Sequence, residues 1–276
     1  MKQLFITDLD HTFLHSTQRV SPYSKTVWNQ HAKHHYLSVA TARSYNKTLE
    51  FLQGMHLNAP LILLDGAMVV TPDKQLIDIK TLQPNVVDAI LEIGQRFDSL
   101  PFIISLNDHQ SLSETFALPP KMNRYQSILI TQSYQEDPRI QRPTVLNAPK
   151  ETLKVVYIGD EATLRPLAHA LQEELEQEVE VKLAPENYMQ CYFLTILHPL
   201  GDKAHALHKV CEYLDLPLTQ TTVFGDGLND IEMFKLAGTS VAVSNALEVL
   251  KAHATLTLPH SNDEDAVARY LEQVTQ

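Results

Sequence analysis

Four short clusters of acidic, basic and hydroxyl side chains stand out along the 276 residues. The first is Asp8-Leu9-Asp10-His11-Thr12, directly after the apolar run Leu4-Phe5-Ile6. Two carboxylates at the carboxyl end of a buried strand occupy the place where open α/β sheets bind ligands. The second is Ala40-Thr41-Ala42-Arg43, with a hydroxyl that can donate to a phosphate oxygen and a planar guanidinium that can pair with an anion. The third, Gly201-Asp202-Lys203, puts a cation at the start of a helix, against the helix dipole. That placement suits a Lys whose task is to neutralise a phosphate. The fourth is Phe224-Gly225-Asp226-Gly227-Leu228-Asn229-Asp230, a glycine-rich turn carrying two more carboxylates.

Each cluster has an ordinary reading by itself: a solvated Asp turn, a Thr helix cap beside a surface Arg, an exposed Lys, a tight structural turn. Their combination is less ordinary. If the strands that precede them are parallel, all four clusters fall on one edge of the sheet, and Asp8, Asp10, Asp226 and Asp230 converge. Four carboxylates in one pocket repel unless something neutralises them. A hard divalent cation does so, and an all-oxygen donor set suits Mg2+. Carboxylates, a cation, a Lys and a hydroxyl donor are the parts of a phosphoryl-transfer site, where positioning and charge neutralisation dominate.

The elements that would position these residues follow from the apolar pattern. Residues 4–6, 36–40 and 61–64 read as buried strands, alternating with helices at 24–34 and 45–55. Strand–helix alternation predicts a parallel sheet with crossover helices. From residue 84 the texture changes. Residues 85–97 form an amphipathic helix, 101–106 a strand, and 118–150 a proline-rich, loop-rich stretch with a strand at 127–131. A strand at 155–158, a helix at 161–178 and strands at 179–183 and 192–196 complete an inserted α+β module. The alternating pattern then resumes: helix 203–214, strand 221–224, helix 229–237, strand 240–243, and helices at 246–253 and 263–274. The expected fold class is therefore α/β, a doubly wound Rossmann-like core with an inserted α+β domain. Core residues are 1–83 and 199–276, and the insert is 84–198.

The four motifs, in this order, resemble the haloacid dehalogenase-like phosphatase superfamily. They are most similar to its Cof-type members (type IIB), which carry a large cap between the second and third motifs. The run Phe224 to Met233 and the segment Ala242-Val243-Ser244-Asn245-Ala246 carry much of the likeness. The resemblance implies that Asp8 is the nucleophile and Asp10 the general acid, then base. It makes Asp8, the Asp10 backbone carbonyl and Asp226 magnesium ligands, with Asp230 supporting the ion directly or through water. It gives Thr41, Arg43, Lys203 and Asn229 to phosphate or substrate, with Lys203 also orienting Asp8. His11, Ala42, Asp65 and Ala266 depart from the common Gly, Gly, Asn and Gly. The cap would close over the site on hinges at 82–85 and 198–201, with residues 187–191 as a specificity loop. The implied substrate is a small phosphorylated metabolite, a sugar phosphate or a phosphorylated cofactor. A phosphomutase and a catalytically silent binding or effector protein are the alternatives.

Composition narrows the partners. A formal net charge of -11, with Lys and Arg dispersed, gives no nucleic-acid footprint. No segment approaches the ~20 apolar residues of a membrane helix. Cys191 and Cys211 have no metal-ligand spacing and read as buried thiols in a reducing compartment, so cytoplasmic residence is expected. His31, His34 and His35 read as surface histidines rather than a zinc site. The sequence leaves the oligomeric state open.

Overall fold

The computed structural model describes residues 2–186 and 189–274. The chain divides into two compact units, Met1–Ile79 with Asp202–Gln276, and Lys80–Gly201.

The first unit begins with β1 (Leu4–Thr7), α1 (Pro22–His31), β2 (Tyr36–Val39) and α2 (Tyr45–Phe51). Helix α1 starts two residues earlier than its apolar pattern suggests. Ser21 caps it by accepting from the Ser24 N–H at 2.9 Å, and Pro22 fills the first helical position, where no N–H is needed. Next come β3 (Leu61–Leu63), β4 (Met68–Val70) and β5 (Leu76–Ile79), an antiparallel three-stranded sheet. Only the parallel bridge Ala40–Ile62 extends the main sheet towards β3, so the third apolar run is not a full member of that sheet.

The inserted unit contains α3 (Pro84–Arg96), β6 (Phe102–Asp108), β7 (Ser113–Ala117), α4 (Arg124–Ser133), β8 (Ile140–Gln141), β9 (Thr152–Gly159), α5 (Glu161–Leu175), β10 (Glu180–Glu186) and β11 (Cys191–Leu197). Its sheet runs β10-β11-β9-β6-β7-β8. Val87, Ile90, Leu167 and Leu171, from α3 and α5, pack with Ile103, Val155 and Leu194 of the sheet. Tyr125 and Ile130 of α4 pack with Phe102, Phe116 and Val156 in a second cluster.

Helix α4 corrects an expectation, because the strand read at 127–131 lies inside it. Asn123 accepts from the Gln126 N–H at 3.0 Å, and the Gln126 side chain accepts from the Asn123 N–H at 3.0 Å. This reciprocal capping box starts a helix, where a short run of Ile and Leu by itself reads equally well as a strand. Of the proposed specificity loop, residues 187 and 188 lie outside the described residues.

The chain then returns to the first unit as α6 (Lys203–Leu214), β12 (Thr221–Gly225), α7 (Ile231–Leu236), β13 (Thr239–Ala242), α8 (Glu248–Lys251), β14 (Leu256–Thr257) and α9 (Ala266–Val274). The main sheet has the order β14-β13-β12-β1-β2, parallel throughout. From β1 the chain moves outward to β2, and later returns to β12 on the other side. The topological switch therefore lies between β1 and β12, where a doubly wound sheet opens a crevice at its carboxyl edge.

His31 also departs from expectation. It is buried, with its ring edge-on to Phe5 at 4.8 Å and stacked on His35 at 4.6 Å. The face of α1 that carries it packs on β1, which a surface reading did not foresee. Cys191 and Cys211 are buried free thiols. Among the described residues, no helix is long and apolar enough to cross a membrane.

Candidate active site

Strand register brings the first, second and fourth motifs together. Thr7 is paired with Phe224 on one side and Val39 on the other. The Asp8 N–H continues the ladder to the Phe224 carbonyl at 2.9 Å, and the Ala40 N–H bonds the Thr7 carbonyl at 2.9 Å. Asp8, Thr41 and Asp226 thus leave the carboxyl ends of three adjacent parallel strands.

Lys203 reaches this edge from the first position of α6. Asp202 caps that helix, accepting from the His205 N–H at 2.8 Å. Gly66 fixes where the helix begins. Its φ is +110°, and a Cβ there would lie 2.2 Å from the Asp202 carbonyl carbon and oxygen. Only glycine permits that approach.

Lys203 has 0% exposure, which overturns the ordinary reading of an exposed Lys. Its ammonium donates to Asp8 Oδ1 at 2.7 Å and to Asp230 Oδ1 at 2.7 Å. Asp230 is equally buried, and its other oxygen accepts from the N–H groups of Asp226 and Gly227, each at 3.1 Å. A Cβ on Gly225 would stand 2.5 Å from that oxygen, so a glycine is required for Asp230 to hold the turn.

Asp8, Asp226 and Asp230 each offer a carboxylate oxygen within 4.8 Å of the others, an arrangement that could hold a metal ion. Three carboxylates against one ammonium leave two negative charges uncompensated, the charge of one divalent cation. Burial, then Asp230 and Asp226, push the Asp8 carboxyl well above the ordinary carboxylate range, against the pull of Lys203. Burial and the Asp230 charge push Asp226 up to about 7, while a 2.7 Å hydrogen bond from the Thr12 hydroxyl opposes the rise. Burial acts to lower the Lys203 pKa, but Asp230 and Asp8 outweigh it and hold the ammonium charged. Both rises follow from burial and from crowding carboxylates around one ammonium.

Asp10, the fourth nominated carboxylate, is not one of this group, although its charge adds to the rise of Asp226. Arg43 grips it with two hydrogen bonds, Nε to Oδ2 at 2.7 Å and Nη2 to Oδ1 at 2.5 Å. Arg43 is therefore engaged with the nominated acid. The Thr41 hydroxyl accepts from the Arg43 N–H at 3.2 Å, which leaves its own proton to donate elsewhere. The helix cap of α2 is Ser44, not Thr41. Asn229 donates from Nδ2 to Asp65 at 3.3 Å, and Asp65 holds a left-handed φ of 63° that acidic and amide residues tolerate.

The family model for haloacid dehalogenase-like hydrolases matches residues 5–271. The chain belongs to this hydrolase family. Among curated members, it is 25% identical to the 5-amino-6-(5-phospho-D-ribitylamino)uracil phosphatase YitU of Bacillus subtilis, over 98% of this chain and 96% of that protein. It is 27% identical to the HMP-PP phosphatase of Serratia proteamaculans, over 99% and 95% respectively. Two solved structures share the fold. One is TM0651 from Thermotoga maritima, with TM-score 0.78, 24% identity and coverage of 100% and 98%. The other is the HAD subclass IIB sugar phosphatase BT4131, with TM-score 0.78, 20% identity and 99% coverage of both chains.

Two features of this haloacid dehalogenase-like site were not assigned from sequence. The Thr12 contact with Asp226 was foreshadowed by a hydroxyl within the first motif, four residues after Asp8. Asn245 donates to the His11 carbonyl at 2.7 Å and accepts from the Asn262 N–H at 3.0 Å, pinning the turn after Asp10. Asn245 lies in the segment that carries the family likeness, but no sequence signal pairs it with His11.

Proposed function

We propose that this hydrolase cleaves small phosphate monoesters in two steps, through an aspartyl-phosphate on Asp8 and with Mg2+ as its cation. The observation that carries the reading is the buried ion cluster. One Lys203 ammonium binds both Asp8 and Asp230 at 2.7 Å, and Asp226 completes the acidic group.

With Asp8 Oδ1 held by Lys203, Oδ2 is the oxygen left to attack phosphorus. Attack forms the Asp8–phosphorus bond and breaks the bond to the leaving oxygen, which takes its proton from Asp10. Water then cleaves the acyl phosphate, returning its proton to Asp10 and releasing inorganic phosphate. The Thr41 hydroxyl and the Lys203 ammonium are the donors for the phosphoryl oxygens, and the Asn229 amide assists. The all-oxygen donors Asp8, Asp226 and the Asp10 backbone carbonyl fit Mg2+. When bound, the cation offsets the charge that gathers on the phosphoryl oxygens. Asp230 already accepts three hydrogen bonds, so we assign it to holding Lys203 and the Asp226 turn.

Choice among leaving groups falls, in this reading, to the inserted residues 84–198. The phosphatase names of the relatives support small phosphorylated metabolites as the substrate class.

The test is phosphate release from an aryl phosphate, with and without Mg2+, by the parent protein and by Asp8→Asn. Metal-dependent release by the parent and none by the variant is expected. A parent that releases nothing with Mg2+, or an Asp8→Asn variant that turns over at the parent rate, contradicts the reading.

A further inference from the structure

Asp10 and Arg43 form a fork-to-fork pair, and a third group lies beneath it. The Arg43 guanidinium carbon stands 4.2 Å from the centroid of the Phe51 ring. Phe51 closes α2, whose cap residue Ser44 immediately follows Arg43. The short helix thus carries a ring from its last position back under the residue that precedes it. Arg43 is mostly enclosed, with 17% side-chain exposure, while Asp10 keeps 31%.

We propose that Phe51 is a positioning residue, which acts through Arg43 to aim the Asp10 carboxylate at the leaving-group oxygen. The inference rests on the phosphatase reading, in which Asp10 exchanges the leaving-group proton.

The physical case has three parts. A guanidinium on a flexible stem samples many rotamers, and an aromatic face removes one plane of that freedom while attracting the charge. The Arg43 N–H is bound to the Thr41 hydroxyl at 3.2 Å, so the stem is fixed at its base and the ring fixes its head. Two parallel hydrogen bonds then fix both oxygens of Asp10 and hence the rotation of its carboxylate plane. A half-exposed Asp without that fork would sample several orientations, and small misplacements of a proton donor cost large factors in rate.

The consequence depends on the leaving group. An alkyl alcohol leaves poorly as an anion and needs its proton in the transition state. A nitrophenol leaves well without one. Misaiming Asp10 therefore slows the first step selectively for alkyl phosphates, a difference read in kcat/KM. Hydrolysis of the acyl phosphate, which also uses Asp10, is common to both substrates and enters only kcat. General damage to the site instead lowers kcat/KM alike for both classes.

The experiment measures kcat and KM for 4-nitrophenyl phosphate and for glycerol phosphate. The proteins are the parent, Phe51→Leu, Phe51→Tyr, Arg43→Lys and Asp10→Asn. Phe51→Leu should lower kcat/KM on glycerol phosphate about tenfold and on the aryl ester less than about twofold. Phe51→Tyr should restore the alkyl rate, since it keeps the ring. Arg43→Lys, which loses the planar fork, should show the same selectivity even if Phe51→Leu folds poorly. Equal losses of kcat/KM on both substrates in Phe51→Leu and Arg43→Lys overturn the proposal, as does a Tyr variant as slow on glycerol phosphate as the Leu variant. Asp10→Asn separates the two levels of the argument. If its loss of kcat/KM is alkyl-selective while those of the Phe51 and Arg43 variants are not, the positioning inference alone fails. If it too lacks selectivity, the acid–base reading of Asp10 fails and takes the inference with it.

Discussion

Lys203→Met keeps the length of the side chain and removes its charge from the centre of the acidic cluster. The ammonium holds two carboxylates at 2.7 Å each, with no exposure of the Lys and none of Asp230. Removing one partner of a buried ion pair costs ~3–5 kcal/mol, because the other charge stays behind without compensation. For a protein of this size 1 kcal/mol moves the melting temperature by ~2–4 °C, so a fall of about 10 °C is expected at pH 7.5 without metal. The same geometry fixes the pH dependence. Asp226 is pushed up to about 7, so it carries a proton at pH 5, and Asp8 is raised as well, so acidification lowers the charge of the cluster and the missing cation matters less. The deficit should shrink by about half at pH 5. Thermal melts of parent and variant at both pH values, in chelator, make the measurement. A deficit of the same size at pH 5 and pH 7.5, or one below about 3 °C at pH 7.5, would refute the reasoning.

Other perturbations test separate parts of the account. The folded pKa of Asp226, about 7, lies above its unfolded value, so its contribution is present below pH 4 and lost as pH rises to 7. Asp226→Asn should therefore raise the metal-free melting temperature at pH 7.5 and abolish the upward shift given by Mg2+, both read by calorimetry. Gly66→Ala forces a Cβ to within 2.2 Å of the Asp202 backbone, so it should displace the start of α6. A loss of about 2 kcal/mol or more in stability and of at least about tenfold in phosphate release is expected. His31 is shifted the other way, from 6.5 to about 4, by burial and then by His35 and His34. Its neutral form is the stable one, so stability should fall as pH drops from 6.5 towards 4. His31→Phe should flatten that slope in denaturant titrations; parallel curves for the two proteins would remove His31 as the cause.

Much of the site was legible because it rests on strand ends. Asp8, Thr41 and Asp226 each follow an apolar run, and parallel register gathers such residues without any further information. Lys203 was legible for a different reason, as a cation placed against a helix dipole. Its burial was not legible, since that depends on Gly66 admitting the α6 backbone and on Asp230 supplying a second anion. The Arg43–Asp10 pair was also beyond the sequence, because two residues 33 apart in the chain meet only through the turns after β1 and β2. In the fold, periodicity succeeded for long amphipathic elements such as α3. It failed at residues 127–131, where the capping box of Asn123 and Gln126 decided between helix and strand. The short strands β4, β5, β7, β8 and β14 went unread. Most of them lack the unbroken apolar run that marked equally short strands such as β1 and β3, and their partners are set by tertiary contacts.

The claim on which the rest depends is that Asp8 takes the phosphoryl group. Turnover of a phosphate monoester with Mg2+ can be stopped in acid and the protein reduced with borohydride, which marks a carboxylate that was an acyl phosphate. Peptide mass mapping then reads the marked residue. The account predicts a mark on the peptide that contains Asp8, and none in Asp8→Asn. A parent protein that turns over steadily yet shows no mark, or shows it on another residue, would contradict it.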